Sequence, residues 1–224
     1  MKYTSCERLM WVVLSAPAFK YIRSQKPEWD MRTYRKKVKQ IYHEMLSRTP
    51  DIGTLKENAL RICLSGGAVW LAAYEAADGR MDEKLFADMV VKTMEAPILK
   101  ASFKAKRRIA FTREGQEKRK ANADKANPLD CACNWNTEVI LGRDADEYSM
   151  VYHQCGLCGL GRQEGLFHLV KHMCVLDYMS VELMGGTLFR TQTLAQGGQC
   201  CDFHVCRKGS EWEKEREAKD AQMQ

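Results

Sequence analysis

The sequence predicts an α+β fold, with an N-terminal helical group followed by an antiparallel β-sheet of two hairpins and a helix packed on it. Over roughly the first hundred residues, apolar residues recur three and four positions apart, the spacing of one helix face. Further along, short β-branched and aromatic stretches alternate with turn residues, which is typical of hairpins. With 224 residues and 45% hydrophobic content, the chain is long enough to bury its own core.

The first two predicted helices cover residues 6–25 and 29–46. Pro17 should kink or end the first one, because proline lacks the amide hydrogen that a helix interior needs. The residues that the first helix offers for burial are Leu9, Val12, Val13 and Tyr21. The apolar stripe of the second is Tyr34, Val38, Ile41, Tyr42 and Met45.

Two further helices follow at about residues 54–77 and after a cap at Asp82. The Asp78-Gly79 pair should end the third helix in a turn, and Pro97 should kink the fourth. The inward positions of the third are Leu60, Cys63, Leu64, Val69, Trp70 and Ala73. Those of the fourth are Phe86, Met89, Val90, Met94 and Ile98.

A basic segment lies between Lys100 and Lys125, where ten lysines and arginines face three acidic residues. Its only aromatic residues are Phe103 and Phe111, and it fits no nucleic-acid-binding motif, so we predict a solvated helix end and loop. We therefore divide the chain into a helical part at 1–112, a basic and polar linker at 113–135, a motif-bearing part at 136–209 and a polar tail at 210–224. These parts should form one cooperative domain.

The motif-bearing part reads as hairpin, helix, hairpin. The first hairpin joins residues 137–141 to 148–153, and the helix spans 163–184. The second hairpin joins residues 187–195 to 200–206 around Gly197-Gly198. That glycine pair is either an ordinary turn or a source of backbone N–H groups for an anion or oxyanion.

Cysteine usage and hydropathy favour a reducing, cytoplasmic compartment. Ten cysteines in 224 residues are far fewer per residue than in a disulfide scaffold. The stretch at 9–19 is a poor secretory signal, because it is short and leads directly into basic residues. No apolar run reaches the roughly 20 residues that a membrane span needs.

Asp177 is the first candidate for chemistry, because it interrupts an apolar helix stripe that it shares with Cys174, Tyr178 and Val181. An unpaired buried carboxylate is costly. Asp177 therefore either pairs with a cation such as Arg190 or lies in a site that uses its altered pKa.

The cysteines support several interpretations. Cys155-x2-Cys158 has the spacing of a metal knuckle, and either the His168-x3-His172 pair or the Cys131-x-Cys133 pair would complete four ligands. Buried small apolar side chains are the plainer alternative. A nucleophilic cysteine would need a basic neighbour such as His172 or His204, and spacing does not decide which cysteine that is.

The motifs of the last third resemble those of the L-2-amino-thiazoline-4-carboxylic acid hydrolase family. The resemblance lies in Cys155-x2-Cys158, in Cys174-x2-Asp177-Tyr178, and above all in the string RTQTLAQGGQCCDF that begins at Arg190. It implies hydrolytic opening of a cyclic amidine: water adds at the carbon between ring sulfur and nitrogen, the C–S bond breaks, and an N-carbamoyl-cysteine forms.

This resemblance also implies site residues. Asp177 would be the acid, Cys174 or Cys201 the base or nucleophile, and Arg190 with the Gly197-Gly198 turn the anchor for the substrate carboxylate. The full catalytic set is Cys174, Asp177, Cys201 and Asp202. The substrate-binding set is Arg190, Thr191, Thr193, Gly197, Gly198 and Tyr178, and a metal set would be Cys155, Cys158 and His172.

An alternative function is a small-molecule-binding or sensor module with a structural Cys/His metal site. The cysteine pattern also resembles vinyl-reductase-type ligand-binding domains, whose cysteines can hold a metal. Zinc or another divalent metal is therefore a candidate cofactor. The expected partners are a small carboxylate-bearing heterocycle and a second copy of the chain. We expect neither nucleic acid nor a membrane as a partner.

Overall fold

Over residues 1–222, which the computed structural model describes, a group of helices precedes a four-stranded antiparallel sheet, and the predicted α+β class is confirmed. The helices are α1 (Ser5–Gln25), α2 (Met31–Arg48), α3 (Arg61–Glu75), α4 (Glu83–Met94), α5 (Pro97–Ala105), α6 (Arg107–Ala110), α7 (Arg113–Ala126), α8 (Gly156–Gln163), α9 (Phe167–Met173), α10 (Val175–Leu183) and α11 (Glu211–Gln222). The strands are β1 (Asn136–Leu141), β2 (Glu147–Gln154), β3 (Gly186–Phe189) and β4 (Cys201–Arg207).

The sheet has the order β1-β2-β4-β3, so the two hairpins meet through their second strands. Tyr152 pairs with Cys201 across β2 and β4, and Met150 pairs with Phe203. Because side chains alternate along a strand, these four residues share one face of the sheet. Glu147 and His204 lie on the other face by the same rule.

Helix α1 differs from its prediction in two ways. It continues through Pro17 without ending, and the predicted inward residues Leu9 and Val12 are 54% and 61% exposed. The buried face instead carries Leu14, Ala18, Phe19 and Ile22. A buried ion pair favours this rotation, because Glu7 turns inward to Arg61 of α3 at 2.8 Å.

The other N-terminal helices agree largely with their predictions. All five predicted inward residues of α2 are buried. Helix α3 begins at Arg61 rather than near residue 54, because Thr54 and Glu57 close a separate turn. Two predicted core residues were wrong: Ile98 is 61% exposed in α5, which starts at Pro97, and Cys63 of α3 is also exposed.

The basic segment is more helical than predicted. Its first part, α5 and α6, is largely solvent-exposed as expected, but residues 113–126 form α7 instead of a loop. Thr112 caps this helix, and the fully buried Gln116 donates to the carbonyl oxygens of Asp144 and Glu147. These bonds attach α7 to the first hairpin. The proposed boundary between the two parts of the chain stays a prediction.

The single helix predicted at 163–184 is wrong, because the chain bends twice. Gly165 adopts a left-handed conformation (φ 71°) between α8 and α9, and Cys174 separates α9 from α10. The second hairpin is also shorter than predicted. Strand β3 ends at Phe189, and a loop with a 3-10 turn at Leu194–Gln196 leads to β4.

The polar tail forms α11 up to residue 222, and the rest of the predicted tail lies outside the described residues. None of the helices within residues 1–222 combines the length and the apolar composition that crossing a membrane requires.

Two hydrophobic clusters form the core. The larger one joins the N-terminal helices to α8 and α9, and the smaller one joins a face of the sheet to Phe111 and Val181. Tyr152 and Leu194 pack against both clusters. Tyr152 and Leu194 therefore lie at the boundary between the helical half and the sheet, and this boundary is called the seam.

Candidate active site

The reactive side chains of the family motif gather along this seam. Asp177 lies in the first turn of α10, and 41% of its side chain is exposed, yet burial raises its pKa to about 6. The protein around the carboxyl therefore affects its ionisation more than the partial exposure of the side chain does.

Arg190 is the partner of Asp177. Its Nη1 donates to Asp177 Oδ2 at 2.9 Å, and its Nη2 donates to the carbonyl oxygen of Cys174 at 3.2 Å. Only 7% of the Arg190 side chain is exposed, because the guanidinium lies over the rings of Tyr178 and Phe203. The arginine charge favours the carboxylate but does not cancel the effect of burial, so the pKa of Asp177 stays above its ordinary value.

The charge of Asp177 acts on several thiols and a phenol around it. Burial raises the pKa of Cys63 to about 11 and that of Cys174 to about 12, and in both cases the Asp177 carboxylate adds to the effect. The pKa of Tyr152 is raised for the same two reasons. Cys63 on α3, Tyr152 on β2 and Cys174 before α10 therefore surround one acidic group.

Cys155 differs from these thiols. It precedes the first residue of α8, and its pKa is lowered because the thiol of Cys158 and the backbone N–H groups of Cys158 and Leu157 donate to its sulfur. The pKa of Cys158 is raised in turn, so Cys155 is the member of the pair that ionises first. A partly buried cysteine of lowered pKa at a helix N-terminus is the usual environment of a reactive cysteine.

The sequence indicates a metal ligand at Cys155 and does not decide which cysteine would be a nucleophile. The signal was nevertheless present. A Cys-x2-Cys pair at the start of a helix commonly has a first cysteine of low pKa, whether or not it binds a metal. What the sequence could not show was that residue 156 begins a helix.

Cys174 and Cys201 are less suited to nucleophilic attack. The Cys174 thiol donates to the carbonyl oxygen of Val170 at 3.6 Å. Cys201 is buried and accepts the N–H of Leu194 at 3.3 Å, and burial raises its pKa to about 11. Both residues lie beside the seam, but their thiols are held in the neutral form at neutral pH.

Asp202, the second residue of β4, holds the loop that follows β3 through hydrogen bonds. Its carboxylate accepts the N–H groups of Thr191 and Gln192 and the hydroxyl of Thr191. Although burial opposes it, these hydrogen bonds lower the pKa of Asp202. Asp202 also alternates with Cys201 and Phe203 along β4, so it does not share their face.

The Gly197-Gly198 turn does not present free donors to an anion. Gly197 adopts the left-handed conformation (φ 87°), and the Gly198 N–H donates to the carbonyl oxygen of Thr193 at 2.9 Å. The Gly197 N–H donates to the carbonyl oxygen of Leu194. Thr193 is buried and its hydroxyl bonds Gln196, while Thr191 is exposed. Because the N–H groups of both glycines are engaged, Arg190 is the group at the seam that could bind an anion.

The three residues of the predicted metal set do not come together. His172 forms a hydrogen bond with Glu83 of α4, with its Nε2 at 3.0 Å from Oε2, whereas the free thiol of Cys158 interacts with the Cys155 sulfur. Within residues 1–222, one group of three side chains has the geometry for a metal, and it consists of Glu147, His204 and Cys206. It lies on the face of the sheet opposite Tyr152 and Cys201.

Comparison with known proteins agrees with the motifs that gather at this seam. Neither the curated proteins nor the solved structures contain a match to this chain. A protein-family model, described as L-2-amino-thiazoline-4-carboxylic acid hydrolase, matches residues 63–205. That span covers well over half of the chain and runs from Cys63 of α3 into β4, so it contains all the reactive groups of the seam. The chain therefore belongs to the L-2-amino-thiazoline-4-carboxylic acid hydrolase family.

Proposed function

We propose that the protein hydrolyses a small cyclic amidine that carries a carboxylate, of the 2-amino-thiazoline-4-carboxylate type, to an N-carbamoyl amino acid. The observation that carries the proposal is the pairing of two altered groups at one seam. Asp177 has a pKa raised to about 6, and Cys155 has a lowered pKa, so the site combines a carboxyl group that is partly protonated near neutral pH with a thiol that ionises more readily than usual. Family membership supplies the substrate class.

Asp177 is proposed as the general acid. A carboxyl group with a pKa near 6 keeps part of its population protonated at neutral pH, and it can give that proton to the ring nitrogen of the amidine. Protonation makes the ring carbon more electrophilic. Arg190 holds Oδ2 of Asp177 and leaves the other carboxylate oxygen to face the substrate.

Cys155 is proposed as the nucleophile. Its thiolate adds to the carbon between ring sulfur and nitrogen, the ring C–S bond breaks, and the ring sulfur leaves as a thiol after taking a proton. The adduct is an isothiourea on Cys155. Water then adds to the same carbon, the bond to Cys155 breaks, and an N-carbamoyl product with a free thiol is released. The net reaction consumes one water and needs no oxidant or reductant.

The substrate carboxylate needs a cationic partner. Arg190 is the proposed anchor, because it is fixed by two hydrogen bonds and two aromatic rings beside Asp177. A guanidinium that is already ordered loses little conformational freedom when a carboxylate binds it.

All ten cysteines are free thiols, which suits a role in the cytoplasm, where thiols stay reduced.

The test is incubation of the purified protein with 2-amino-thiazoline-4-carboxylate while release of a free thiol is followed. Wild type is compared with Cys155→Ser and Asp177→Asn, and Cys200→Ser serves as a matched cysteine control outside the proposed machinery. Turnover that both site variants lose and the control keeps supports the proposal. Saturable binding without turnover would instead favour a binding or sensor module, and neither binding nor turnover across a panel of cyclic amidine acids would refute the function.

A further inference from the structure

The face of the sheet that points away from the seam carries a second group of reactive side chains. Glu147 of β2 pairs directly with Cys206 of β4, and Ser149 pairs with His204 two residues further along. Ligand atoms of Glu147, His204 and Cys206 all lie within 4.8 Å of one another. The central strand pair thus places a carboxylate, an imidazole and a thiol side by side.

We propose that Glu147, His204 and Cys206 bind a zinc ion that links the two central strands. The separations agree with zinc geometry. His204 Nε2 lies 3.4 Å from Glu147 Oε2 and 3.3 Å from Cys206 Sγ. In a tetrahedral zinc site, bond lengths of about 2.0–2.3 Å place neighbouring ligand atoms about 3.3–3.6 Å apart. Both separations from His204 therefore match a zinc site, and the third, between Glu147 and Cys206, is within 4.8 Å.

Ser149 prepares the histidine for this role. Its Oγ lies 2.9 Å from His204 Nδ1, which is the distance of a hydrogen bond. When Nδ1 carries the proton and donates it to Ser149, the lone pair of Nε2 faces Glu147 and Cys206. An outer partner of this kind fixes the orientation and tautomer of most metal-binding histidines.

The carboxylate is held in place by Arg143. The Arg143 guanidinium and backbone N–H bond Oε1 of Glu147, while Nη2 reaches Oε2 at 3.1 Å. Arg143 is itself anchored, since it lies over the Trp212 ring and pairs with Glu215 of α11. Zinc would bind Oε2 of Glu147, and the hydrogen bonds from Arg143 to Oε1 would remain. Arg143 therefore orients the Glu147 carboxylate while zinc binds it.

The site has three protein ligands and room for a fourth from solvent. Glu147 and Cys206 are buried, whereas a quarter of the His204 side chain is exposed, so solvent reaches the group from the histidine side. Three protein ligands with water in the fourth position is a common arrangement of zinc. The group shares no residue with the seam around Asp177. Zinc binding can therefore be tested independently of the proposed hydrolysis.

The experiment uses the full-length protein, freed of metal with a chelator and titrated with zinc sulfate by calorimetry, with metal content measured by mass spectrometry. Wild type should bind one zinc per chain. His204→Gln and Cys206→Ala should abolish that binding, and Ser149→Ala should weaken it by about 10- to 100-fold. Cys155→Ser is the matched control and should bind zinc like wild type.

Cobalt provides a second readout of the ligand set. A thiolate-to-cobalt absorption band should appear in wild type and in Cys155→Ser and be absent from Cys206→Ala. Because Cys206 is fully buried, the partly exposed His204→Gln variant, checked by circular dichroism, separates loss of a ligand from loss of the fold. Failure of wild type to bind zinc, undiminished binding in both ligand variants, or loss of binding in Cys155→Ser would overturn the proposal. The first result would mean that a thiol–imidazole hydrogen bond and the Arg143 ion pair alone account for the cluster.

Discussion

Asp177 and Arg190 form an ion pair at 2.9 Å in which the carboxyl group nonetheless has a raised pKa. An arginine at this distance ordinarily lowers the pKa of a carboxyl group. At this seam the loss of hydration outweighs the arginine, which leaves an acid that changes its protonation state near pH 6. A carboxyl group that titrates near pH 6 is suited to the role of general acid proposed for Asp177.

Replacing Asp177 with Asn should lower turnover of 2-amino-thiazoline-4-carboxylate by on the order of 10²-fold or more, with a smaller effect on substrate binding. The protonated fraction of Asp177 falls above about pH 6, while the thiolate fraction of Cys155 rises with pH. Their product gives a bell-shaped profile of kcat/KM against pH, because kcat/KM reports the ionisations of the free enzyme, and the variant should lack the limb near pH 6. Steady-state kinetics between pH 5 and 9 measures both effects.

Asp124→Asn is the control for this measurement, because Asp124 is exposed on α7 and pairs only with Lys120. Its profile should match that of wild type. A limb near pH 6 that persists in Asp177→Asn would show that another group titrates there and that Asp177 is not the acid.

Cys155 should be the thiol that iodoacetamide modifies first at pH 7. The thiolate is the reacting species, and hydrogen bonds to its sulfur lower the pKa of Cys155, while burial raises the pKa of Cys174 to about 12 and that of Cys201 to about 11. Limited alkylation followed by peptide mass spectrometry identifies the modified residue. Replacing Cys158 with Ala should slow the modification, because it removes a donor to the Cys155 sulfur.

Exposed Cys63 is the internal control for accessibility in the same experiment. The residue is more open to solvent than Cys155, but desolvation of its thiol by the surrounding protein, together with the Asp177 carboxylate, raises the pKa of Cys63 to about 11. Modification of Cys63 ahead of Cys155 would mean that access, rather than thiolate character, governs reactivity, and the proposed nucleophile would be refuted.

The sequence was sufficient for the fold class and for most helix faces, and it offered the pairing of Asp177 with Arg190 as one of two alternatives. These features depend on periodicity and on the cost of burying a lone carboxylate, both of which are local properties of the pattern. The first hairpin was predictable for the same reason, since β1 and β2 are separated by only five residues.

Contacts between distant parts of the chain account for what the sequence could not show. The rotation of α1 depends on Glu7 meeting Arg61, which is 54 residues away. The loop after β3 forms because Asp202 of β4 captures the N–H groups of Thr191 and Gln192 before they can pair as a strand. The role of Cys155 depends on a helix start that the apolar pattern does not mark. In the first two cases a polar side chain determines the local backbone.

Replacing Asp202 with Ala should loosen the loop at residues 190–199 without unfolding the protein. The variant removes the acceptor for two backbone N–H groups and one hydroxyl, and each lost bond of this kind costs about 1–3 kcal/mol of local stability. Hydrogen exchange should therefore quicken in this loop and change little in α2. An unchanged exchange rate accompanied by lost turnover would instead return Asp202 to a catalytic role.

The final prediction concerns stability in acid and depends on the buried pair of Glu7 and Arg61, whose side chains are 0% and 3% exposed. Burial alone would raise the pKa of Glu7, but hydrogen bonds from Arg61, Thr4 and Ser65 outweigh it and lower the pKa to about 2. The unfolded chain has the ordinary value of 4.5. A carboxyl group with a depressed folded-state pKa stabilises the protein above its unfolded pKa, by about 3 kcal/mol here. This contribution is lost as the pH falls from about 4.5 towards 2, and more than half of it should be gone by about pH 3.

Urea unfolding of wild type and Glu7→Gln at pH 7 and pH 3 tests this. The variant should lower the free energy of unfolding at pH 7 by about 3 kcal/mol, because the buried Arg61 guanidinium loses its buried carboxylate partner and keeps the half-exposed one, Asp51. At pH 3 the difference should shrink to less than half. Asp88→Asn, in an exposed pair with Lys84, should change the free energy by no more than about 1 kcal/mol at either pH. An equal difference between wild type and Glu7→Gln at both pH values would mean that packing around residue 7, rather than its charge, stabilises the contact between α1 and α3.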